Sequence, residues 1–261
     1  LSIEIIEAYP LSTDTQPCYD DRTVALSYGS RVIFEAMGLW EAMADRIEAI
    51  KTIHISDRGH LGVTRLRHEE EGVEALGYVA ENRVLGEVLY QRLESNPDVL
   101  MHCPAEVLDL QQQDDSVQLR YAENGKEYDL TAKLVIVADG VTSKTRDMLQ
   151  IGTSRQDYKQ SAVITNVTPG QPHQNVAYER FTDTGPLAFL PLADGRSSIV
   201  WTRPSIEAQR LLALDDEAFL DELDAASSGW LGRVENCGPR AVFPLSMRLS
   251  ESYTAHRTVL M

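Results

Sequence analysis

The sequence predicts an α/β (α+β) fold in two parts: a three-layer domain on a parallel sheet carrying an antiparallel β-meander, and a second, mostly antiparallel domain. Three observations predict it. The run Leu134-Val135-Ile136-Val137-Ala138 is apolar throughout and stops at Asp139-Gly140, which reads as a parallel strand buried on both faces. Val107 to Leu110, Val117 to Tyr121 and Tyr128 to Thr131 are short strand runs around Asp114-Asp115 and Asn124-Gly125, and Asn-Gly between alternating strands is the strongest short-range hairpin signal. Beyond residue 150, candidate strands at Ala162 to Val167, Val176 to Phe181, Leu187 to Leu192 and Ser198 to Thr202 succeed one another across Gly, Pro and Asp turns, the signature of antiparallel sheet.

Taken in order, Ile3 to Ala8 is a short β-type run closed by Tyr9-Pro10, and Thr23 to Ser27 is a second. Val32, Ile33, Ala36 and Met37 then recur at helical spacing up to a stop at Gly38, and Leu39 to Arg46 forms another short helix with Leu39, Trp40 and Met43 on its apolar side. Ile50 to Ile55 alternates as a strand, Asp57 to Gly62 is turn-like, and Arg65 to Gly72 is charged and expected at the surface. After Gly77-Tyr78-Val79 comes a helix with Asn82 as its cap and Val84, Leu85, Val88, Leu89 and Leu93 along one face. Asp215 to Ala226 packs through Phe219, Leu220 and Leu223, and Thr258 to Met261 is a final buried strand. The expected domains are 1–158 with the meander at 105–132, 159–254, and a return strand at 255–261.

With 261 residues, 43% of them hydrophobic and 25% charged, the chain can bury a core. A formal net charge of -16 argues against a nucleic-acid surface. No apolar run approaches the roughly 20 residues of a membrane span, and the start lacks a signal-peptide pattern, so the expected compartment is the cytoplasm. Cys18, Cys103 and Cys237 are scattered, which predicts reduced thiols and no zinc site. The six histidines show no paired helical spacing, so no metal centre is expected. A nucleophile elbow and a phosphate loop of the P-loop type are both missing.

The strand ending at Asp139 points to ligand binding, because in open α/β sheets ligands sit beyond the carboxyl ends of the strands. Gly140 would let backbone approach a ligand, Asp139 could accept from sugar hydroxyls, and Ser143 could open the next helix. An ordinary strand-to-turn junction would use the same dipeptide. Glu7, at the end of an early strand, fits the acidic residue that bonds the adenosine ribose in dinucleotide-binding units, with a solvated carboxylate as the alternative. The glycine fingerprint due about 20 residues earlier would precede Leu1.

In order, Glu7, Arg22-Thr-Val-Ala-Leu26, Glu81-Asn82-Arg83, the meander and Val137-Ala-Asp-Gly-x-x-Ser143 resemble the FAD-dependent aromatic hydroxylases of the para-hydroxybenzoate hydroxylase type. Ser56-Asp57-Arg58-Gly59-His60 after an isoleucine at 53 or 55, Ala177-x-Glu179-Arg180-Phe181-Thr182, Gly185-Pro186-Leu187-Ala188 and His256-Arg257-Thr258-Val259 resemble the ubiquinone-biosynthesis branch, the 2-octaprenyl-6-methoxyphenol hydroxylases. The resemblance implies a three-layer, Rossmann-like FAD-binding domain and a substrate domain. It implies that Glu7 bonds the adenosine ribose, that Arg22 and Arg83 contact the pyrophosphate or ribityl region, that Asp139 and Gly140 lie against the pyrophosphate and ribityl chain, and that Val107 offers backbone groups to the adenine. For both arginines a surface salt bridge is the alternative.

The implied reaction is ring hydroxylation of a polyprenylated phenol with NAD(P)H as cosubstrate and O2; no catalytic acid or base stands out. Peripheral contact with the inner membrane, a complex of ubiquinone-biosynthesis enzymes and a homo-oligomer are compatible with it. Gly185 to Leu192, through Leu187, Phe189 and Leu192, is the expected pocket-facing strand, with core packing as the alternative. Two departures from the family pattern, the absent glycine fingerprint and the absent loop that would hold the isoalloxazine ring, make the chain read as an interior fragment, expected to bind FAD poorly alone. They also motivate a second reading, a noncatalytic assembly subunit. A third is a flavin-dependent dehydrogenase.

Overall fold

The computed structural model describes residues 2–10 and 22–261, so Cys18 lies outside the described residues. In chain order the elements are β1 (Ile3–Ile6), β2 (Thr23–Ser27), α1 (Tyr28–Ala36), α2 (Trp40–Met43), β3 (Glu48–Ile50), β4 (Thr52–Asp57), β5 (Val63–Arg67), β6 (Gly77–Glu81) and α3 (Asn82–Glu94). They continue with β7 (Val99–His102), β8 (Ala105–Gln112), β9 (Val117–Glu123), β10 (Lys126–Ala132), β11 (Val135–Val137), α4 (Lys144–Met148) and β12 (Thr153–Thr168). The last are β13 (Val176–Phe181), β14 (Leu187–Pro191), β15 (Ser197–Pro204), α5 (Ser205–Ala213), α6 (Asp216–Ser227), β16 (Asn236–Cys237), β17 (Ala241–Ser250), β18 (Thr254–Ala255) and β19 (Thr258–Leu260). The mixed α/β class is as expected. By compactness the chain divides into one unit of Leu1–Gln16, Leu93–Tyr158 and Ser246–Met261 and another of Pro17–Arg92 and Lys159–Leu245, so residues 17–92 group with the later antiparallel sheet.

In the first unit β1 and β7 pair in parallel from Ile3↔Val99 to Ile6↔His102. The meander runs β10-β9-β8, and its Asn124-Gly125 turn places both residues at positive φ, 51° and 75°, as a two-residue type I′ hairpin requires. Leu110, Val117 and Leu119 form its core, against which Val107, Val135 and Met148 pack. β11 pairs in parallel with β19 and is the outer strand of its sheet. The expectation that this strand is buried on both faces is corrected: Val137 is 5% exposed, but Leu134 and Ile136 are 54% and 59% exposed. Alternation sends Val135 and Val137 to the packed side and Ile136 to the bare one.

The second unit is built on an eight-stranded sheet ordered β16-β12-β15-β14-β13-β4-β5, with β17 also on β12. β16–β12, β12–β15, β15–β14, β14–β13 and β4–β5 pair antiparallel, and β4–β13 pairs parallel. Arg65–Gly72 is at the surface as expected; the edge strand Val63–Arg67, which overlaps it, is exposed at every residue, because backbone pairing to β4 holds it without burial. Val163, Val167, Leu187, Phe189, Ile199 and Trp201 meet Ala208 and Leu211 of α5 and Phe219 and Leu223 of α6 in one core. The expected pocket-facing residues Leu187 and Phe189 are therefore core, since alternation turns them toward the helices. Leu192 is buried as well, with Ile50, Val79 and Ala177. Helix α6 starts where the Asp215 carboxylate accepts from the Ala218 amide at 2.8 Å.

A smaller antiparallel sheet, β2-β6-β3, completes the second unit. With α1, α2 and α3 it encloses Leu26, Leu39, Met43, Tyr78, Val84 and Val88. Gly38 ends the first helical segment at φ +67°. Helix α3 begins at Asn82 itself, whose amide donates to the Arg22 carbonyl at 2.9 Å.

Candidate functional site

In the first unit, Glu7 follows β1 and is fixed by its backbone: its amide donates to the His102 carbonyl at 3.0 Å, and its carbonyl accepts from Ala105 at 2.8 Å. One carboxylate oxygen accepts from the Tyr9 amide at 2.9 Å, and the side chain is half-buried at the strand end. β7, which the sequence reading missed, supplies one half of this clamp, and β8 supplies the other.

Val107 lies two residues beyond Ala105, opposite Tyr121, and the β8–β9 register shifts between Val107 and Asp109. Such a bulge leaves a residue out of the ladder and re-aims the local backbone. Glu106, between Ala105 and Val107, is ion-paired with Lys144 at the start of α4. The segment Ala105-Glu106-Val107 therefore links Glu7 on one side to the turn carrying Asp139 and Gly140 on the other.

That turn follows β11 directly. Asp139 is exposed, and its carboxylate accepts from the Thr145 amide at 3.1 Å. Gly140 sits at φ +80° with nothing within 4 Å of the position a Cβ would take. Ser143 caps α4 as expected, its Oγ accepting from Arg146 at 2.9 Å. Buried Arg146 and partly exposed Arg248 both donate to the Val141 carbonyl, at 3.3 and 2.6 Å, and tie the turn down. A strand-end carboxylate and an open, left-handed glycine turn fit the sugar hydroxyls and diphosphate of a dinucleotide. Glu7, Val107, Asp139 and Gly140 are thus brought into one neighbourhood.

Arg22 and Arg83 belong to the second unit. Arg22 stands over the Phe243 ring at 4.9 Å. Arg83 pairs with Glu81 at 2.8 Å and Glu87 at 3.4 Å, and Arg196 approaches the same Glu81 at 3.6 Å. Glu81 thereby ties helix α3 to the β14–β15 turn. Nearby, Arg31 of α1 is ion-paired with Glu74 and Glu35. Burial, with the hydrogen bond to Glu74, pushes the Tyr78 hydroxyl up to about 12, and that same bond holds the Glu74 carboxyl below its usual range.

The face of the large sheet turned away from α5 and α6 carries Ile53 and Ile55, Ala177 and Glu179, Ala188 and Leu190, Ser198 and Val200, and Ile164 and Asn166, as the registers require. Ile50 and Val79 cover its Ala177 end, and Thr23 donates to the Ser198 hydroxyl at 3.0 Å. Ile55, Glu179, Ala188, Val200 and Ile164 are left half-exposed. Asn166 is 4% exposed, and neither polar atom of its carboxamide has a partner among the described residues. On the opposite face His54 lies 5.3 Å from Tyr178 and 5.6 Å from Trp230; burial, and then the Arg65 charge, push its pKa down. Two surface cavities of the second unit, about 730 and 510 Å³, are lined by none of the six expected cofactor residues.

Residues 6–261 match the family described as FAD binding domain. The chain is 33% identical to an uncharacterized protein of Synechocystis sp. over 100% of this chain and 62% of that protein. It is 32% identical to the ubiquinone hydroxylase UbiL of Rhodospirillum rubrum, over 93% of this chain and 56% of that protein. The 3-demethoxyubiquinol 3-hydroxylase of Escherichia coli is also 32% identical, over 96% of this chain and 63% of its own. The chain thus spans less than two thirds of the length of these relatives. In fold it resembles p-nitrophenol 4-monooxygenase PnpA of Pseudomonas putida, with a TM-score of 0.76 at 15% identity over 100% of this chain and 66% of that one. Aklavinone-11 hydroxylase, solved with FAD and aklavinone, gives 0.70 at 16% over 100% and 52%. From its strand-end carboxylate through its glycine turn to its last strand, the chain belongs to the FAD binding domain family.

Proposed function

We propose that this protein is an FAD-dependent monooxygenase that hydroxylates the aromatic ring of a polyprenylated phenol in ubiquinone biosynthesis, with NAD(P)H and O2 as cosubstrates. The observation that carries the reading is the half-exposed apolar sheet face of the second unit, in a chain of the FAD binding domain family whose relatives include two ubiquinone-pathway hydroxylases. Apolar walls with few polar groups suit a ring and its greasy tail.

FAD, when bound, supplies the two-electron chemistry that activates O2. Glu7 would hold the adenosine ribose, and Val107 would meet the adenine through its backbone. Asp139 and Gly140 would lie against the pyrophosphate and ribityl chain. Arg22 and Arg83, each taken by itself, would contact the pyrophosphate or ribityl region. The first unit would then be the FAD-binding part and the large sheet of the second the substrate part. No helix among the described residues is long and apolar enough to cross a membrane, and the enzyme would meet its substrate from the cytoplasm, at the membrane surface. Membership of a complex of biosynthetic enzymes and self-association belong to the same proposal.

The test is an FAD titration by flavin fluorescence on this 261-residue chain and on a longer version matching the length of the relatives, followed by mass spectrometry of product made under labelled O2. FAD binding by the longer version and one labelled oxygen in the product are expected. No binding by either sinks the cofactor assignments, and turnover without labelled oxygen sinks the monooxygenase reading.

A further inference from the structure

We propose that Glu179 is the catalytic base that takes the proton from the ring hydroxyl of the substrate. The assignment rests on the hydroxylase reading above and adds to it the proton acceptor that sequence reasoning left unnamed.

Register sets the direction of the Glu179 side chain. Glu179 of β13 stands opposite Ile55 of β4 on one side and Ala188 of β14 on the other, so its side chain leaves the sheet on the face away from the helices. Along that face the neighbouring side chains are Ile53, Ala177, Leu190, Val200 and Ile164. Glu179 is half-buried there, and among the described residues its carboxylate has no hydrogen-bond or ion-pair partner. Charged groups that lose water normally find a partner. Its neighbour Arg180 does so on the opposite face, donating to the Ala226 carbonyl at 3.2 Å and lying over the Trp230 ring.

Other groups on the face are poorer candidates. Ser198, Thr202 and Asn166 do not titrate as bases near neutral pH. Asp57, at the end of β4, is exposed and paired with His60 at 2.9 Å. The only carboxylate on this face without a partner among the described residues therefore stands within a half-exposed apolar patch.

Chemistry supplies the need. A phenol ring attacks an electrophilic oxygen far faster as the phenolate, because the extra electron pair is delocalised into the ring. A carboxylate Oε within hydrogen-bond reach of the ring hydroxyl takes its proton. The O–H bond breaks with its electron pair left on the ring oxygen, an Oε–H bond forms, and the carboxyl returns its proton to water. The apolar surroundings hold the ring and exclude competing donors.

The experiment uses the full-length, FAD-loaded protein and its Glu179→Gln and Glu179→Asp variants. Each is assayed for labelled-oxygen incorporation with a short-chain prenylated phenol and with an analogue carrying several ring fluorines and one free ring carbon, at a pH above the analogue's lowered pKa. Glu179→Gln is expected to keep its FAD content and melting temperature and to lose roughly 10²- to 10³-fold in kcat on the ordinary phenol. On the fluorinated phenol most of that loss should disappear, and Glu179→Asp should fall between the two. An equal loss on both phenols, or no loss on either, overturns the assignment while leaving the hydroxylase reading in place. Failure of the unsubstituted enzyme to incorporate labelled oxygen brings down the reading and the assignment together.

Discussion

The Ala105 amide donates to the Glu7 carbonyl at 2.8 Å, so the first residues of the meander fix the end of the first strand. The carboxylate of Glu7 is thereby held at a strand end, with only the Tyr9 amide as a partner among the described residues. Replacing Glu7 with Gln should weaken FAD binding about 10- to 100-fold, the range for hydrogen bonds to a charged group. Flavin-fluorescence titration of the full-length protein reads the change, and an unaltered dissociation constant removes Glu7 from the ribose site.

Gly140 should resist any side chain for backbone reasons alone. Its φ of +80° lies in the left-handed region, while a Cβ would meet nothing within 4 Å. Gly140→Ala is therefore expected to cost about 1–2 kcal/mol, read as a lower urea midpoint at unchanged slope. Gly140→Asn should cost less, because asparagine tolerates that conformation.

Tyr78 predicts an alkaline weakness. Its hydroxyl is pushed up to about 12 from an ordinary value of 10, so between those values the folded protein holds a proton that the unfolded chain has released. Stability from this group is complete below pH 10 and is lost as pH rises toward 12. Urea unfolding across that window should show the decline, and Tyr78→Phe should flatten it.

Phe219 is fully buried in the core beneath the large sheet, with its ring 6.2 Å from that of Trp201. Phe219→Ala should cost about 3–5 kcal/mol. A much smaller loss in chemical unfolding would mean that the α6 face repacks.

Much of this architecture is legible in the residues. Asn124-Gly125 announces the meander because both positions take positive φ, and Ser143 announces α4 because its hydroxyl caps the helix. β7 escapes notice because Val99-Leu100-Met101-His102 is four residues long and carries no alternation; pairing with β1 makes it a strand. Helix α5 hides between Pro204 and Asp215, where Ser205-Ile206-Glu207 gives only a faint start.

The sites divide in the same way. Glu7, Asp139 and Gly140 suggest a cofactor site because they stand just past strand ends, whereas Val107, inside β8, comes only from the family resemblance. Leu187 and Phe189 mislead because alternation along β14 defines two faces without saying which one the helices take. Only the cross-strand registers show that Ala188, Leu190 and Glu179 look the other way.

The bare side of β11 bears on the behaviour of this 261-residue chain in solution. Ile136 lies on, and Leu134 just before, a strand whose outer edge has no paired strand among the described residues and can accept one, while a formal charge of -16 drives copies apart. Repulsion reaches about 30 Å at 0.01 M salt and about 3 Å at 1 M, whereas the attraction of apolar edges does not fade with salt. For this 261-residue chain the expected outcome is dispersed molecules in dilute buffer and strand-to-strand association in concentrated salt, read by light scattering as growing particle size.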